Sequence, residues 1–281
     1  MRIFVTGGTG LLGSALVSRA LSQGHSVVAT HLRHAPGDPR ATWRGLDVTD
    51  ADAVARTLLA ARPDAVIHTA YAFTGDAMRA VTTDGAAHVA AAARAVGARL
   101  VHLSTDVVFD GEATGAYAED DPVSPLTPYA QAKVDAEARV TAAHPDAALV
   151  RTSLLYTLDD DDRQLRFACD LLAGRAAGAL FTDEMRCPSL AGEVAEALLE
   201  LAASAYAGVL HVAGDTAVSR HAFASMLLRA RGVDPTGLPA ARSADQPVRR
   251  PRNCALSSGR ARGLLAARVR GVDAVLGPRS P

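Results

Sequence analysis

The first 13 residues constrain the fold more than any other part of the chain. A short apolar run, Ile3 to Val5, leads into glycines at positions 7, 10 and 13, and an apolar pattern of helical period follows over residues 14–21. This order predicts a β-strand, a tight turn and the start of an α-helix. The glycines could simply separate the two elements, but the first N–H groups of such a helix attract a phosphate. The pattern therefore favours a dinucleotide whose pyrophosphate is bound at Gly7, Gly10, Leu11, Leu12 and Gly13.

Apolar runs alternate with helical patterns through the first half of the chain. Residues 26–30, 65–69, 99–103 and 147–151 have the pattern of buried strands, and residues 51–61 and 76–96 that of helices. Such alternation predicts an α/β fold of Rossmann type with a doubly wound parallel sheet. We expect residues 1–153 to form a dinucleotide-binding domain and residues 154–281 a small α/β C-terminal lobe, mainly for substrate, from which residues 208–213 can return to the sheet.

The composition is typical of a globular protein whose ligands are small molecules. The 281 residues carry a formal net charge of −1, which gives no electrostatic reason to expect nucleic acid or an anionic membrane as a partner. No basic segment precedes an apolar signal, and apolar stretches are interrupted well before a membrane-spanning length, so we expect a cytoplasmic protein. The cysteines, Cys169, Cys187 and Cys254, have no metal-ligand spacing, and no metal site is predicted.

The end of the second predicted strand bears on the choice of dinucleotide. A carboxylate there would accept hydrogen bonds from the ribose hydroxyls of NAD and would repel the extra phosphate of NADP. This chain has His31 and Arg33 at that point instead. Arg33 could be a solvated loop charge, but as a phosphate ligand it favours NADP. NADPH is therefore the expected cofactor, with NADH as the alternative.

Two later segments are expected to reach the same cofactor. Residues 46–48 form a short apolar pattern with the properties of a strand, in which Asp47 and Val48 could contact the adenine; Asp47 could equally cap the next helix. Ala70 and Tyr71 follow the strand at 65–69, where a loop should cross the dinucleotide. Ligands of doubly wound sheets bind at the carboxyl ends of the strands, so these four residues are predicted cofactor contacts.

A tyrosine and a lysine four residues apart carry the predicted chemistry. Pro128 suits the first turn of a helix, which puts Tyr129 and Lys133 on one helical face. A nearby ammonium lowers the pKa of a phenol, which would make Tyr129 a general acid for a carbonyl oxygen as hydride arrives from a nicotinamide. Lys133 would also hold the nicotinamide ribose, and Thr105 or Ser104 would hydrogen-bond the same oxygen. Such pairs also occur on ordinary exposed helices, so the prediction depends on the glycine turn.

Six segments give the chain a resemblance to a known family. They are VTGGTGLLGS, LSTDVVFDG, TPYAQAKVDAE, RTSLLY, RCPSL and RRPRN, and together they span nearly the full chain. The sequence resembles the extended short-chain dehydrogenases/reductases, and within them it is most similar to the dTDP-4-dehydrorhamnose reductase group. The resemblance implies an NAD(P)-binding domain, a substrate lobe, NAD(P)H-dependent reduction of a ketone on a 4-keto sugar nucleotide, and the catalytic set Thr105, Tyr129 and Lys133.

The resemblance also suggests which residues contact the substrate. Asp106, Val107 and Phe109 follow Thr105 at the end of a predicted strand, and Leu154 follows the strand at 147–151. Arg186 and Arg250 lie in later segments, where each could pair with a phosphate of the substrate or could lie in solvent. The predicted substrate contacts are Asp106, Val107, Phe109, Leu154, Arg186 and Arg250.

Three positions depart from the pattern of the group. Related reductases usually carry an aromatic residue where this chain has Val107, a Trp where it has Leu154 and an Asn where it has Thr82. These departures leave the identity of the sugar open. A single carboxylate, Asp106, stands where the related dehydratases have an acidic pair, which favours simple reduction. A non-catalytic NADP-binding regulatory subunit and a sugar-nucleotide epimerase remain alternatives, and a homodimer is compatible with each.

Overall fold

The computed structural model describes residues 1–33 and 38–277. Its strands are β1 (Arg2–Thr6), β2 (Ser26–His31), β3 (Thr42–Gly45), β4 (Ala65–His68), β5 (Arg99–Thr105), β6 (Ala148–Thr152), β7 (Leu155–Tyr156), β8 (Leu180–Phe181), β9 (Met185–Arg186), β10 (Ser189–Leu190), β11 (Gly208–His211), β12 (Val218–Ser219) and β13 (Ala240–Ala241). Its α-helices are α1 (Leu11–Ser22), α2 (Ala51–Ala61), α3 (Gly85–Ala95), α4 (Pro128–Ala143), α5 (Arg163–Leu172), α6 (Ala191–Ala202), α7 (Arg220–Ala230), α8 (Gly259–Leu264) and α9 (Val272–Leu276). A π-helical turn covers Ala80–Asp84, and 3₁₀ turns cover Asp106–Val108 and Ser243–Asp245.

A seven-stranded parallel sheet forms the centre of the molecule, with its strands in the order β11-β6-β5-β4-β1-β2-β3. From β1 the chain proceeds outward to β2 and β3 on one side and then to β4, β5 and β6 on the other. The predicted α/β fold with a doubly wound parallel sheet is therefore confirmed. Such a reversal of strand order opens a crevice at the carboxyl ends of the strands, and the glycine turn after β1 lies at this crevice.

Helices cover both faces of the sheet because successive side chains of a strand point to opposite faces. On one face, α1 and α6 pack over a core that includes Ile3 and Val5. On the other, α2, α3 and α4 pack over a core that includes Phe4, Val66 and Leu100. Strands buried on both faces explain the continuous apolar runs in the sequence.

Short polar residues mark the beginnings of two helices that flank the crevice. Asp50 caps α2 by accepting a hydrogen bond from the Ala53 N–H at 2.9 Å. Thr127 caps α4 in the same way through the Ala130 N–H at 3.2 Å, and Pro128 occupies the first turn of the helix. Each cap stabilises its helix by about 1 kcal/mol. The start of α4 fixes where Tyr129 and Lys133 face, one helical turn apart.

The third strand lies earlier in the chain than the sequence predicts. It covers Thr42–Gly45 rather than residues 46–48, and it pairs with β2 at the edge of the sheet. An edge strand that is largely exposed needs no apolar run, so its sequence gave no signal. Leu46 and Val48 lie beyond it and are buried in the core on the α2–α3 face, which accounts for their apolar pattern.

The C-terminal part of the chain contributes to two regions. Its strand β11 joins the sheet beside β6, and its helix α6 packs against α1. The helices α5, α7 and α9 surround a separate apolar cluster that includes Tyr156, Phe223 and Leu228. A domain boundary near residue 153 stays a prediction. Within residues 1–33 and 38–277, no helix has both the length and the apolar character needed to cross a bilayer.

Candidate active site

The turn after β1 is tightly closed and has no room for a side chain at Gly7, Gly8 or Gly13. Gly7 has a φ of +66°, and the Gly8 N–H donates to the Thr30 carbonyl oxygen at 2.9 Å. A Cβ on Gly13 would collide with the carbonyl oxygen of Gly7, so α1 can approach the turn this closely only without a side chain there. The turn therefore presents main-chain atoms to the crevice.

The helix α1 begins directly behind this turn and has no cap. Gly10 precedes it, no side chain accepts from its first N–H groups, and its first turn contains no acidic residue. The N–H groups of Leu11, Leu12 and Gly13 have no intrahelical partner in such a position, and the helix dipole adds positive potential there. This arrangement fits the pyrophosphate of a dinucleotide.

The ends of β2 and β4 lie against the glycine turn. The Gly7 N–H lies 3.3 Å from the Thr30 hydroxyl on β2, after which His31 is half-buried and Arg33 is exposed. On the β4 side, a Cβ on Gly7 would lie 3.0 Å from the Cα of Ala70. The structure thus brings Thr30 and Ala70 against the glycine turn, and His31 and Arg33 follow Thr30 along the chain.

Asp47 and Val48 have different surroundings. Asp47 is exposed and accepts hydrogen bonds from the N–H and hydroxyl of Thr49, at 2.9 and 2.8 Å. It does not cap α2, because Asp50 does. Val48 is buried, and its carbonyl oxygen lies 3.1 Å from His88 Nδ1.

Tyr129 and Lys133 on α4 face the carboxyl ends of β4 and β5. The Lys133 ammonium is buried and donates to the Leu103 carbonyl oxygen at 2.8 Å. Its Nζ lies 5.5 Å from the ring centroid of Tyr71. The Tyr129 ring lies 5.9 Å from the Tyr71 ring and 4.7 Å from the Phe73 ring, measured between centroids. An aromatic loop after β4 therefore adjoins the predicted catalytic pair.

The pKa of Tyr129 is raised, not lowered, in this structure. Burial is the largest cause, and Tyr71 and Asp106 add to it. The expected lowering by Lys133 is wrong for this state of the protein, since that ammonium is held on the Leu103 carbonyl. Burial lowers the pKa of Lys133 itself to about 8, against an opposing effect of Glu137. Tyr129 consequently keeps its proton at neutral pH, which is the form that a general acid needs.

The two hydroxyls at the end of β5 have different roles because successive strand residues face opposite ways. Ser104 is buried and donates to a Glu137 carboxylate oxygen at 2.5 Å, so the expectation that it could contact the substrate is wrong. Thr105 is half-buried, and its hydroxyl lies 3.2 Å from an oxygen of Asp106. Of the two hydroxyls, that of Thr105 belongs to the less buried residue, and it also accepts from the Val107 N–H at 3.4 Å.

Two of the predicted substrate contacts are buried side chains. Asp106 accepts a hydrogen bond from the Ser153 hydroxyl at 2.5 Å, and burial raises the pKa of its carboxyl group. Phe109 has no exposed surface, because its ring stacks on Tyr117 with centroids 4.1 Å apart. Both residues support the loop after β5 from inside the protein, so the prediction that their side chains contact the substrate is wrong. Val107 and Leu154 are half-buried.

Arg186 is also committed to the protein interior. It is buried, and its guanidinium donates to the carbonyl oxygens of Met185, Pro251 and Arg252 at 2.8–3.3 Å. Its Nε also lies 3.7 Å from an oxygen of Asp106. The prediction that Arg186 pairs with a substrate phosphate is therefore wrong, because its N–H groups already donate to main-chain carbonyl oxygens.

Arg250 remains partly exposed at the rim of this region. Its Nε donates to the buried Glu184 at 2.6 Å, and its guanidinium lies 5.3 Å from the ring centroid of Phe181. A second arginine, Arg220, is half-buried close by. Burial and the positive charge of Arg186 lower its pKa, and the carboxylates of Glu184 and Asp106 oppose this. Sequence reasoning missed Arg220, which begins α7 in a segment without any motif.

The parallel doubly wound sheet, the glycine turn after its first strand and the Tyr129–Lys133 pair beside β5 together define an extended short-chain dehydrogenase/reductase. The model of one family, described as "RmlD substrate binding domain", matches residues 1–272. The chain belongs to this family, and the resemblance inferred from its sequence segments is confirmed.

Relatives of known name support the same grouping. The dTDP-4-dehydrorhamnose reductase of Mycobacterium tuberculosis (strain H37Rv) is 35% identical over 271 residues, which cover 92% of this chain and 85% of the relative. The probable low-salt glycan biosynthesis reductase Agl14 of Haloferax volcanii is 33% identical over 279 residues, which cover 94% of this chain and 92% of the relative.

Solved structures have the same fold over almost the whole chain. A dTDP-4-dehydrorhamnose reductase from Clostridium acetobutylicum superposes with a TM-score of 0.83 at 25% identity, covering 98% of this chain and 97% of that one. A dTDP-4-dehydrorhamnose reductase from Bacillus anthracis in complex with NADP superposes with a TM-score of 0.82 at 22% identity, covering 98% and 96%. The second likeness is evidence for the fold alone.

Proposed function

We propose that the protein is an NADPH-dependent reductase of a 4-keto sugar nucleotide, with Tyr129 as the proton donor. The observation that carries the proposal is the position of Tyr129, Lys133 and Thr105 at the carboxyl ends of the strands. The glycine turn lies at the same edge of the sheet, and the helix α1 that follows it has no side-chain cap. The names of the relatives, which are reductases of this type, support the class of reaction.

The chain's own residues suit a dinucleotide. The N–H groups of Leu11 to Gly13 would hold its pyrophosphate, and Arg33 with His31 would hold the extra phosphate of NADP. Lys133 would bind the ribose next to the nicotinamide. Bound NADPH supplies the hydride. Arg33→Ala should weaken NADPH binding far more than NADH binding, and equal losses for the two cofactors would contradict the assignment of Arg33.

Three residues act on the ketone. Tyr129, protonated at neutral pH, donates its proton to the carbonyl oxygen as hydride reaches the carbon. The Thr105 hydroxyl donates a second hydrogen bond to the same oxygen. Lys133 acts on the ketone only indirectly, because its ammonium is held on the Leu103 carbonyl oxygen and would bind the ribose next to the nicotinamide.

The arginine cluster at the rim suits the diphosphate of a sugar nucleotide. The guanidiniums of Arg186, Arg220 and Arg250 interact electrostatically with the carboxylates of Asp106 and Glu184. Within this cluster of five groups, the positive charges outnumber the negative ones by one. Arg186 is occupied, which leaves Arg220 and Arg250 as the proposed phosphate ligands. A homodimer in the cytoplasm is part of the same proposal, and sedimentation of the purified protein tests the dimer.

Turnover with dTDP-4-dehydrorhamnose and NADPH tests the reaction directly. Tyr129→Phe should reduce kcat by about 10²- to 10⁴-fold, the usual contribution of a general acid. Tyr206→Phe is a matched control, because its hydroxyl donates to the Val209 carbonyl oxygen remote from the crevice. Unchanged turnover in Tyr129→Phe would overturn the proposal.

The two alternative functions predict other outcomes of the same preparation. A regulatory subunit would oxidise no NADPH with any of a broad panel of carbonyl compounds and would copurify with a larger enzyme. An epimerase would retain a tightly bound nicotinamide through purification, because it uses its cofactor transiently, whereas a reductase must exchange it at each turnover.

A further inference from the structure

Two aromatic side chains in the loop after β4 are unusually exposed for their type. Tyr71 is 51% exposed and Phe73 is 61% exposed, although both rings lie within 6 Å of the Tyr129 ring. Large apolar side chains that are left exposed next to a candidate active site commonly mark a surface that a ligand covers. The Phe73 side chain has no polar atom, so a ligand that covers its exposed ring would make an apolar contact with it.

A buried threonine fixes the main chain between these two rings. The Thr82 hydroxyl donates to the Ala72 carbonyl oxygen at 2.9 Å and accepts from the Ala72 N–H at 3.1 Å. Thr82 is 1% exposed and lies in the π-helical turn that precedes α3. The two hydrogen bonds satisfy both main-chain groups of Ala72, so the rings on either side project from an anchored segment.

The next residue ties the same turn to the catalytic helix. Thr83 is fully buried, and its hydroxyl donates to the Ala132 carbonyl oxygen at 2.9 Å, one residue before Lys133. The π-helical turn therefore links the aromatic loop on one side with α4 on the other. The main chain next to Phe73 is thereby anchored to the helix that carries Tyr129.

We propose that Phe73 is a specificity-determining residue whose exposed ring packs against the apolar face of the keto-bearing sugar ring, and that Thr82 is its positioning residue. The inference rests on the proposed function, since a ketone that accepts a proton from Tyr129 lies next to this ring. Two other predicted substrate contacts, Val107 and Leu154, are aliphatic, whereas Phe73 supplies a flat aromatic surface. C–H groups of a sugar pack well on such a surface.

Steady-state kinetics of Phe73→Ala with dTDP-4-dehydrorhamnose and NADPH test the first part. The KM for the keto sugar nucleotide should rise about 3- to 10-fold, with little change in kcat and in the KM for NADPH. Phe73→Leu should recover part of the loss, because it restores apolar area without the flat ring. Leu59→Ala is the matched control, since Leu59 is 63% exposed on α2, away from the crevice.

Thr82 variants test the second part. Thr82→Val keeps the shape but loses both hydrogen bonds, and it should raise the same KM as Phe73→Ala does, whereas Thr82→Ser should restore it. Equal kinetics for the Val and Ser variants would overturn the positioning role. An unchanged KM in Phe73→Ala, or a rise confined to the KM for NADPH, would overturn the role of Phe73. If Tyr129→Phe retains full activity, it is the proposed function that fails.

Discussion

Replacing Glu137 by Gln tests how much a buried ion pair beneath α4 stabilises the protein. Glu137 on α4 accepts two hydrogen bonds from Arg151 on β6, at 3.0 and 2.8 Å, and a third from Ser104 on β5. Its side chain is 9% exposed and that of Arg151 is 5% exposed. The pair joins the helix that carries Tyr129 and Lys133 to two strands of the sheet.

The expected loss follows from this burial. A buried guanidinium without its carboxylate costs about 3–5 kcal/mol, because water no longer solvates it and no counter-charge remains. Proteins of this kind are stable by only about 5–15 kcal/mol, so Glu137→Gln should lower the urea midpoint of unfolding strongly. Glu137 also opposes the lowering of the Lys133 pKa. In the variant this pKa should fall below about 8, and the alkaline loss of activity should begin at a lower pH.

An exposed pair on the same helix provides the matched control. Asp135 pairs with Arg79 at 2.8 Å, but the two side chains are 29% and 57% exposed. Asp135→Asn should therefore cost at most about 1 kcal/mol. In a double-mutant cycle, adding Arg151→Met to Glu137→Gln should recover much of the stability, because no unpaired charge is left. Equal losses in Glu137→Gln and Asp135→Asn would refute the reasoning.

Two further predictions concern stability. His68 and His102 are stacked in the core at a centroid distance of 5.2 Å, and burial lowers both of their pKa values, that of His68 to about 3. Unfolded histidines bind protons near pH 6.5, so His68 should lower the unfolding free energy by about 1.4 kcal/mol for each pH unit as the pH drops from 6.5 toward 3, and His102 should add to this loss below pH 6.5. Urea unfolding at pH 7.5 and pH 5 measures this change. If the unfolding free energy of His102→Gln depended on pH as strongly as that of the unmodified protein, the prediction would be contradicted. Phe109→Ala should cost about 3–5 kcal/mol of unfolding free energy, while the folded enzyme keeps its KM for the substrate. A rise in that KM without a loss of stability would show that Phe109 contacts the substrate after all.

Local rules explain what could be predicted from the sequence. The glycine turn, the α1 start and the shared face of Tyr129 and Lys133 depend on residues within one or two turns of each other. The predictions that failed involve distant partners. Phe109 is buried because Tyr117 stacks on it, and the donors of Arg186 are taken by carbonyl groups more than 60 residues away in the chain.

By itself, the sequence determined the doubly wound sheet, the glycine turn, the shared helical face of Tyr129 and Lys133 and the family, because each depends on spacing along the chain. Only the tertiary structure decided which hydroxyl of Ser104 and Thr105 faces the crevice, since that depends on where Glu137 packs. It also decided that Phe73 lies 4.7 Å from Tyr129, a neighbour 56 positions further along the chain. Such contacts arise when the sheet brings strand ends together, and no short-range pattern encodes them.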